Sequence, residues 1–519
     1  MEHIVSSSEY ASAAMEHLTS DTEGSARMHG NHIDGEWRAS SSGRMFGSYD
    51  PADGHLIGRF QASDGADVAA AVAAARAAFP GWRATPAPRR GEILFRFAGL
   101  LAEEKERLAR AMTSEMGKVI AEARGDVQEG IDIAYLMAGE GRRLVGDTVP
   151  SELPHKWAMS VREPLGVAGL ITPWNFPIAI PCWKLMPALV CGNSVVLKPA
   201  SDTPHCAVLL MEILARAGFP PGVVNLVTGT GPEVGMPLVE CRDVDVIGFT
   251  GNGETGRRIA IAAAGIGTRL AMELGGKNAI IVLDDADLDL ATDGIIWSAF
   301  GTSGQRCTAC SRVIVTPGIA DELAARLAER ARRLVLGSGL SESVDVGPLI
   351  NAAALEKVER YVGIGLEESA TLVCGGRRAT QPGFEQGMFF EPTIFDHVAA
   401  MSRLGQEEIF GPLLSIIRVA DYAEAVMAAN GVRYGLSSSI YTSDTNTAFR
   451  AMHDLDSGIV YVNAGTIGAE THLPFGGTKA TGNGHREAGR AALDTYTEWK
   501  AVYVDYSGRL QKAQIDAAE

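Results

Sequence analysis

The sequence predicts an α/β protein of more than one domain, built on parallel sheets. Three observations point there. At 519 residues the chain exceeds what one hydrophobic core serves, so two or three domains are expected. Short Val/Ile/Leu runs alternate with longer Ala-rich amphipathic runs, the order of strand and crossover helix. That alternation occurs in two separate stretches, from Gly166 to Ala264 and from Asn278 to about Phe475.

Ahead of the first stretch, Asn31 to Ser48 reads as short strands and turns. Asp64 to Phe79 is helical by period, with Val68, Ala71, Val72 and Ala75 on one face, and Pro80 with Gly81 is expected to end it. A second helix resumes after Pro88, with Leu94, Phe97 and Leu101 aligned, and helices continue to about Leu144. Gly166 to Thr172 is a strand, Pro173 to Pro177 a turn, and Ile178 to Val190 a helix closed by Gly192. Ser194 to Lys198 is a strand, and Ser201 is the expected N-cap of a helix from Thr203 to Ala217. Val223 to Val227 and Asp245 to Thr250 are strands, each followed by a glycine-rich turn. Ligands of such sheets bind at the carboxyl ends of the strands. In the second stretch Ile280 to Leu283, Arg312 to Thr316 and Leu413 to Val419 are strands and Ala320 to Leu336 is a helix. Thr495 to Asp505 reads as one long strand with Trp499, Ala501 and Tyr503 on one face, an edge that invites pairing with another subunit.

Composition narrows the function. The chain is 46% hydrophobic and 21% charged, as globular proteins are, and its net charge of -17 argues against nucleic-acid or membrane-surface partners. Seven cysteines, an odd number without regular spacing, make no disulfide framework and suit a reducing compartment. Cys307 and Cys310 form a lone C-x-x-C with no second ligand pair, so no metal site is expected. The most apolar region, Pro164 to Leu197, is interrupted by Asn175, Lys184 and Asn193, so no membrane span is expected. Met1 to Arg27 has no apolar run and a single basic residue, unlike a secretory or transit peptide. Residues 1–30 are expected to be an acidic, flexible tail, and the protein cytoplasmic.

Four motifs carry chemistry, each with a plainer alternative. Gly251-Asn-Gly-Glu-Thr-Gly256 matches G-x-G-x-x-G between a strand and a helix, with Glu273 22 residues beyond Gly251. Pattern alone reads as a dinucleotide turn with its ribose-binding acid, or as a tight turn without a ligand. Cys307, in the small-residue loop Ser303 to Cys310, is a nucleophile if something favours its thiolate, and Arg306 is adjacent. Otherwise it is a buried small residue, the preferred reading for Cys182, Cys191, Cys206, Cys241 and Cys374. Glu273, among Ala271, Met272 and Leu274, is either a general base raised by apolar neighbours or an ordinary surface carboxylate. Asn175, in Pro173-Trp-Asn-Phe-Pro177, is either a fixed donor for an oxyanion or a tolerant turn residue.

Together these pieces resemble the aldehyde dehydrogenase superfamily, from about Asn31 to Gln514. The resemblance rests on Pro173 to Pro177, Lys198-Pro199, Phe249-Thr250-Gly251, Glu273 to Lys277, Gly304 to Cys307, Glu408-Ile-Phe-Gly-Pro412 and Pro474-Phe-Gly-Gly477 in the family's order. It implies Cys307 as nucleophile, Asn175 with the Cys307 N–H as oxyanion hole, and Glu273 as general base, overriding the ribose reading of Glu273. The implied cofactor is NAD or NADP. Lys198 would meet the adenosine ribose, Glu408 the nicotinamide ribose, Gly251 to Gly256 the pyrophosphate and Phe410 the nicotinamide end. Further cofactor contacts would be Thr172, Pro173, Trp174, Ala200, Ser201, Gly231, Phe249, Thr250 and Leu274. Many NAD-preferring relatives carry Glu where this chain has Ser201, so the sequence does not choose between the cofactors. Phe176, Trp183 and Phe475 would line the aldehyde tunnel, with Arg306, Thr308 and His472 near the substrate. Arg306 is either a partner for a substrate carboxylate or a structural arginine.

The resemblance implies a nucleotide-binding domain (31–144 and 163–273), a catalytic domain (274–490) and a small β oligomerisation element (145–162 and 491–519), in a dimer or tetramer. Thr471 to Glu487 and Tyr506 to Lys512 look like the 2-oxoglutarate semialdehyde dehydrogenase branch. A CoA-acylating relative, which typically lacks the general-base Glu, is the main alternative. A non-catalytic relative and a cofactor-free cysteine hydrolase explain fewer of the motifs.

Overall fold

A computed structural model describes residues 27–515. Seven strands form the first sheet: β1 (Asn31–Ile33), β2 (Glu36–Arg38), β3 (Val167–Ile171), β4 (Ser194–Lys198), β5 (Val224–Leu226), β6 (Val246–Thr250) and β7 (Arg269–Glu273). Their order is β7-β6-β3-β4-β5-β1-β2. β7 through β5 are parallel, while β1 and β2 close the edge antiparallel. The chain builds outward from β3 to β5 and then returns to add β6 on the other side of β3. Parallel register sets Ile171 beside Lys198, Phe249 beside Ile171, and Thr250 beside Glu273. The five parallel strands therefore deliver their following loops to the same carboxyl edge, and strand order reverses at β3, where ligands of such sheets bind. Strands β3 and β4 are wholly buried, as Val/Ile/Leu runs covered on both faces must be.

The second sheet holds β8 (Asn278–Val282), β9 (Cys310–Val315), β10 (Thr371–Cys374), β11 (Thr393–Asp396), β12 (Leu413–Arg418), β13 (Ser437–Tyr441) and β14 (Ile459–Val462). Its order is β10-β11-β12-β9-β8-β13-β14, parallel except at β10. Outside both, the strand Thr497–Asp505 pairs antiparallel with Lys156–Pro164, which also pairs with Thr148–Pro150. Trp157, Trp499 and Tyr503 are exposed there. No described helix is long and apolar enough to cross a membrane.

Three local expectations are corrected. Pro80 does not end its helix, which runs Gly65–Ala84 with Pro80 inside. One lost N–H is offset by Trp82, buried to 1% exposure with its indole N–H on the Leu189 carbonyl at 3.1 Å. Ser201 does not cap the next helix; Pro204–Ala217 starts after Thr203, without a side-chain cap bond. Residues 1–26 of the expected tail lie outside the described residues, but Met28–His29 is a strand paired with Arg59 and Phe60, and His29 is buried. All seven cysteines are free thiols; Cys182, Cys191, Cys206 and Cys374 are buried, and Cys241 is half-buried.

The N-terminal packing makes stability depend on pH. His29 stacks on Phe60 at 4.8 Å and meets His205 edge-on at 5.4 Å. Burial holds His29 at about 3 and His205 at about 4, with Arg27 also opposing protonation of both, His205 itself opposing that of His29, and Arg107 opposing that of His205. Burial likewise holds His32 at about 4, with the Arg38 charge adding and the Val224 and Gly35 backbone partly offsetting. In the unfolded chain these rings bind protons below about 6.5. Folding stability is therefore fully present above that pH and is lost as pH falls toward 4, by about 2 kcal/mol per ring between pH 7 and 5. The urea midpoint is expected to drop over this range, and His205→Gln should flatten the drop. An equally steep drop in that variant would contradict the assignment.

Candidate active site

Cys307 follows a turn of unusual backbone. Thr302, Ser303 and Gly304 have φ of 52°, 56° and 70°, three successive left-handed residues, the first β-branched. Gly304 adopts this freely, whereas at Thr302 and Ser303 it costs about 1–3 kcal/mol each unless their surroundings hold them. Glu122 does so: its carboxylate accepts from the Thr302 N–H at 2.8 and 2.9 Å and from the Thr302 hydroxyl at 2.9 Å. Ser303 donates to the Gly347 carbonyl at 2.7 Å, and Gln305 accepts from the Ile350 N–H at 3.0 Å. Gly304 packs on the Gly411 carbonyl, where a Cβ has no room. Beyond the turn, Asn278 donates to the carbonyls of Cys307 and Ala309 at 2.7 and 2.9 Å. Asn175 donates to the Gln305 carbonyl at 3.0 Å, which brings the proline-bracketed amide to the Cys307 loop.

Glu273, the last residue of β7, is 3% exposed, and neither carboxylate oxygen has a partner. Burial pushes its carboxyl well up and the Glu487 charge adds to this, while Lys184 and Arg486 oppose it. Lys184 and Glu487 form a close ion pair. Glu273, Glu487 and Cys307 line one cavity. The Cys307 thiol is pushed up to about 12 by burial, then by the charges of Glu273 and Glu408. The N–H groups of Thr308 and Cys307 pull the other way. Of the groups that could favour the thiolate, backbone N–H groups act here and the adjacent Arg306 does not. Its Nε donates to the Thr302 hydroxyl at 2.8 Å and its Nη2 lies 3.5 Å from Glu122, so part of the guanidinium is engaged with the turn.

The double glycine after Glu273 has a steric cause. A Cβ on Gly275 would collide with the Glu408 carboxylate, and one on Gly276 would come within 2.7 Å of the Cys307 carbonyl. Glu408 accepts from the Gly276 N–H at 3.0 Å, and burial raises its carboxyl. Trp174 and Phe410, from different sheets, meet edge-to-face at 5.5 Å. At the carboxyl edge the hydroxyls of Thr172 and Thr250 are buried without partners. Lys198 is 5% exposed and held at about 8 by burial, with Asp202 opposing. Ala200 and Ser201 are half-buried and Gly231 is exposed at the rim. Unsatisfied hydroxyls and a buried ammonium in one crevice fit a polar ligand such as a dinucleotide. Gly251 and Gly256 fit under Phe249 and Leu274, where a Cβ would meet them at 2.5 and 2.6 Å, so close packing accounts for both glycines. Asn252 caps the helix Gly253–Ile266.

Phe176, Trp183, Arg306, Thr308 and Phe475 line the cavity beside Cys307. His472 does not: it is exposed and lies 3.4 Å from Glu470. Pattern reading missed Asn278, Glu122, Glu487 and Glu129, the last also lining the cavity. One signal was present: Glu122, Asp126 and Glu129 recur at helical spacing along a largely buried helix, Ile120–Glu140.

Comparison with known proteins agrees with this geometry. Residues 37–502 match the model of the aldehyde dehydrogenase family. The α-ketoglutaric semialdehyde dehydrogenase of Bacillus subtilis is 41% identical over 91% of this chain and 97% of its own length. Its counterpart from Haloferax volcanii is 42% identical over 92% and 99%. Among solved structures, a putative aldehyde dehydrogenase from Burkholderia cenocepacia superposes with a TM-score of 0.91 at 36% identity, over 93% of this chain and 99% of that one. Betaine aldehyde dehydrogenase from Staphylococcus aureus, in complex with NAD+, superposes with a TM-score of 0.91 at 33% identity, over 96% and 97%.

Removing Glu122 tests whether it holds the turn. Glu122→Ala is expected to destabilise the protein by about 2–4 kcal/mol in urea unfolding. Thr302→Gly removes the left-handed strain, so the double variant should lose less than the sum of the two. Strict additivity would show that the turn does not depend on this carboxylate.

Proposed function

The chain belongs to the aldehyde dehydrogenase family, and from that premise we propose that it oxidises an aldehyde to the carboxylic acid with NAD or NADP, through a thioester on Cys307. The observation that carries this is the convergence of three elements. The nucleophile loop, the β3 turn holding Asn175 and the end of β7 holding an unpartnered Glu273 meet at one cavity.

The Cys307 S–H bond breaks, its proton leaving to solvent water, and the sulfur bonds to the aldehyde carbon. The Asn175 amide, which has a second N–H beyond the one on Gln305, and the Cys307 backbone N–H hold the developing oxyanion. One such donor is worth roughly 2.7–4 kcal/mol. A bound nicotinamide supplies the acceptor for the hydride that leaves the same carbon. Glu273 takes a proton from the water that cleaves the thioester, returning the thiol and releasing the acid. A raised carboxyl suits a base that must also give its proton back, and the Lys184–Glu487 pair beside it is positioned to receive that proton. A base at this place argues for water rather than CoA as acyl acceptor.

Lys198, Ser201 and Glu408 are read as cofactor contacts, with the first sheet as nucleotide-binding domain and the second as catalytic domain. Ser201 puts no carboxylate where a 2′-phosphate would sit, so both cofactors are accepted. Arg306, the one cation lining the cavity among the described residues, together with the semialdehyde dehydrogenases among the relatives, favours a dicarboxylic semialdehyde as substrate. The edge strand Thr497–Asp505, with Trp499 and Tyr503 exposed, is the surface proposed for subunit pairing. Seven free thiols fit operation in the cytoplasm.

Steady-state and burst assays with each cofactor test the reading. Cys307→Ala should abolish NAD(P)H formation. Glu273→Gln should release about one equivalent per subunit and then turn over at least about 100-fold more slowly. Full turnover by Glu273→Gln would refute its role as base.

A further inference from the structure

The helix Ile120–Glu140 presents three carboxylates at helical spacing, and two have structural employment. Glu122 holds Thr302 and faces Arg306. Asp126 pairs with the buried Lys118 at 2.8 Å and accepts from the Ala179 N–H at 2.7 Å. Lys118 in turn sits 3.9 Å over the Phe176 ring. Glu129, the third, has no hydrogen-bond or ion-pair partner among the described residues, yet it lines the aldehyde cavity with Arg306, Phe176 and Cys307. Arg306 is not fully engaged either. Beyond its Nε bond to Thr302 and its Glu122 contact, its remaining N–H groups have no hydrogen-bond acceptor among the described residues, and its guanidinium lies 5.3 and 5.4 Å from the Phe176 and Trp297 rings.

We propose that Glu129 is a specificity-determining residue, which competes with the anionic tail of the aldehyde for Arg306 and so sets the charge class of substrate. The proposal rests on the reading of Arg306 as partner of a substrate carboxylate. When Glu129 carries its proton, Arg306 is free to take the tail carboxylate, and the Glu129 carboxyl can donate to it. When Glu129 is ionised, a like charge stands beside the tail and the guanidinium is shared. Burial and the Asp126 charge place this change at about 7, with Asp132 adding and Arg306 and Lys118 opposing. From the second sheet Tyr461 faces the same group, its hydroxyl buried without a partner and sensing both Glu129 and Glu470. The anionic preference is therefore strongest below neutral pH and fades above it.

The test compares succinic semialdehyde with butanal, an uncharged aldehyde of the same chain length, with saturating cofactor from about pH 6 to 8.5. The readout is the ratio of their kcat/KM values, which cancels effects on the shared chemistry. In the wild-type enzyme the ratio should fall roughly three- to tenfold with rising pH. Glu129→Gln should remove that fall and give a higher ratio than wild type at the alkaline end, while Glu129→Asp retains a fall. A Glu129→Gln profile parallel to wild type, or equal changes for both aldehydes, would overturn the proposal. Arg306→Met separates the two readings. If it leaves the ratio unchanged, the carboxylate partner itself is wrong, and the role of Glu129 falls with it.

Discussion

The carboxylate of Glu122 beneath a left-handed turn is the constraint on which the site depends. Thr302 to Gly304 adopt backbone angles that no local preference of Thr or Ser supplies. Three hydrogen bonds to one buried carboxylate, together with the Ser303 and Gln305 anchors, hold the chain there. The turn reverses the backbone so that the Gln305 carbonyl meets Asn175 and the Cys307 sulfur enters the cavity. The same carboxylate lies 3.5 Å from the Arg306 guanidinium. Local strain beside Cys307 is stabilised from a helix 180 residues earlier in the chain.

That geometry has an electrostatic consequence. Burial raises both the Cys307 thiol and the Glu273 carboxyl, with the charges of Glu273 and Glu408 adding at the sulfur and that of Glu487 adding at the carboxyl. A sulfur that is neutral at rest is protected from adventitious oxidation and alkylation, since the thiolate is the reactive form. Ionisation is then coupled to what fills the cavity, because a ligand that excludes water or brings positive charge changes the balance at both groups at once. Glycines at 275, 276 and 304 allow this crowding by letting backbone approach carboxylate and carbonyl groups directly.

Much of the architecture was legible in the sequence, because parallel strands buried on both faces leave uninterrupted Val/Ile/Leu runs such as Ser194–Lys198. What tertiary contacts decide was not. Pro80 reads as a helix end until Trp82 is seen anchored on Leu189. Ser201 reads as a cap, yet the helix begins after Thr203. The residues of the site were legible as members of a family pattern rather than from their local surroundings. Arg306 stands next to Cys307 in sequence but lies 3.5 Å from Glu122, a carboxylate from a distant helix. His472, assigned to the substrate, faces Glu470 instead. Asn278, which holds the carbonyls of Cys307 and Ala309, left no trace beyond its position after Lys277.

The central claim is that one sulfur carries the acyl group between oxidation and hydrolysis. Mixing the Glu273→Gln enzyme with aldehyde and cofactor, quenching in acid and weighing the peptides tests it most directly. The account predicts a mass increase equal to the acyl group on the peptide containing Cys307, labile to hydroxylamine. An adduct on another residue, or none while reduced cofactor accumulates, would contradict it.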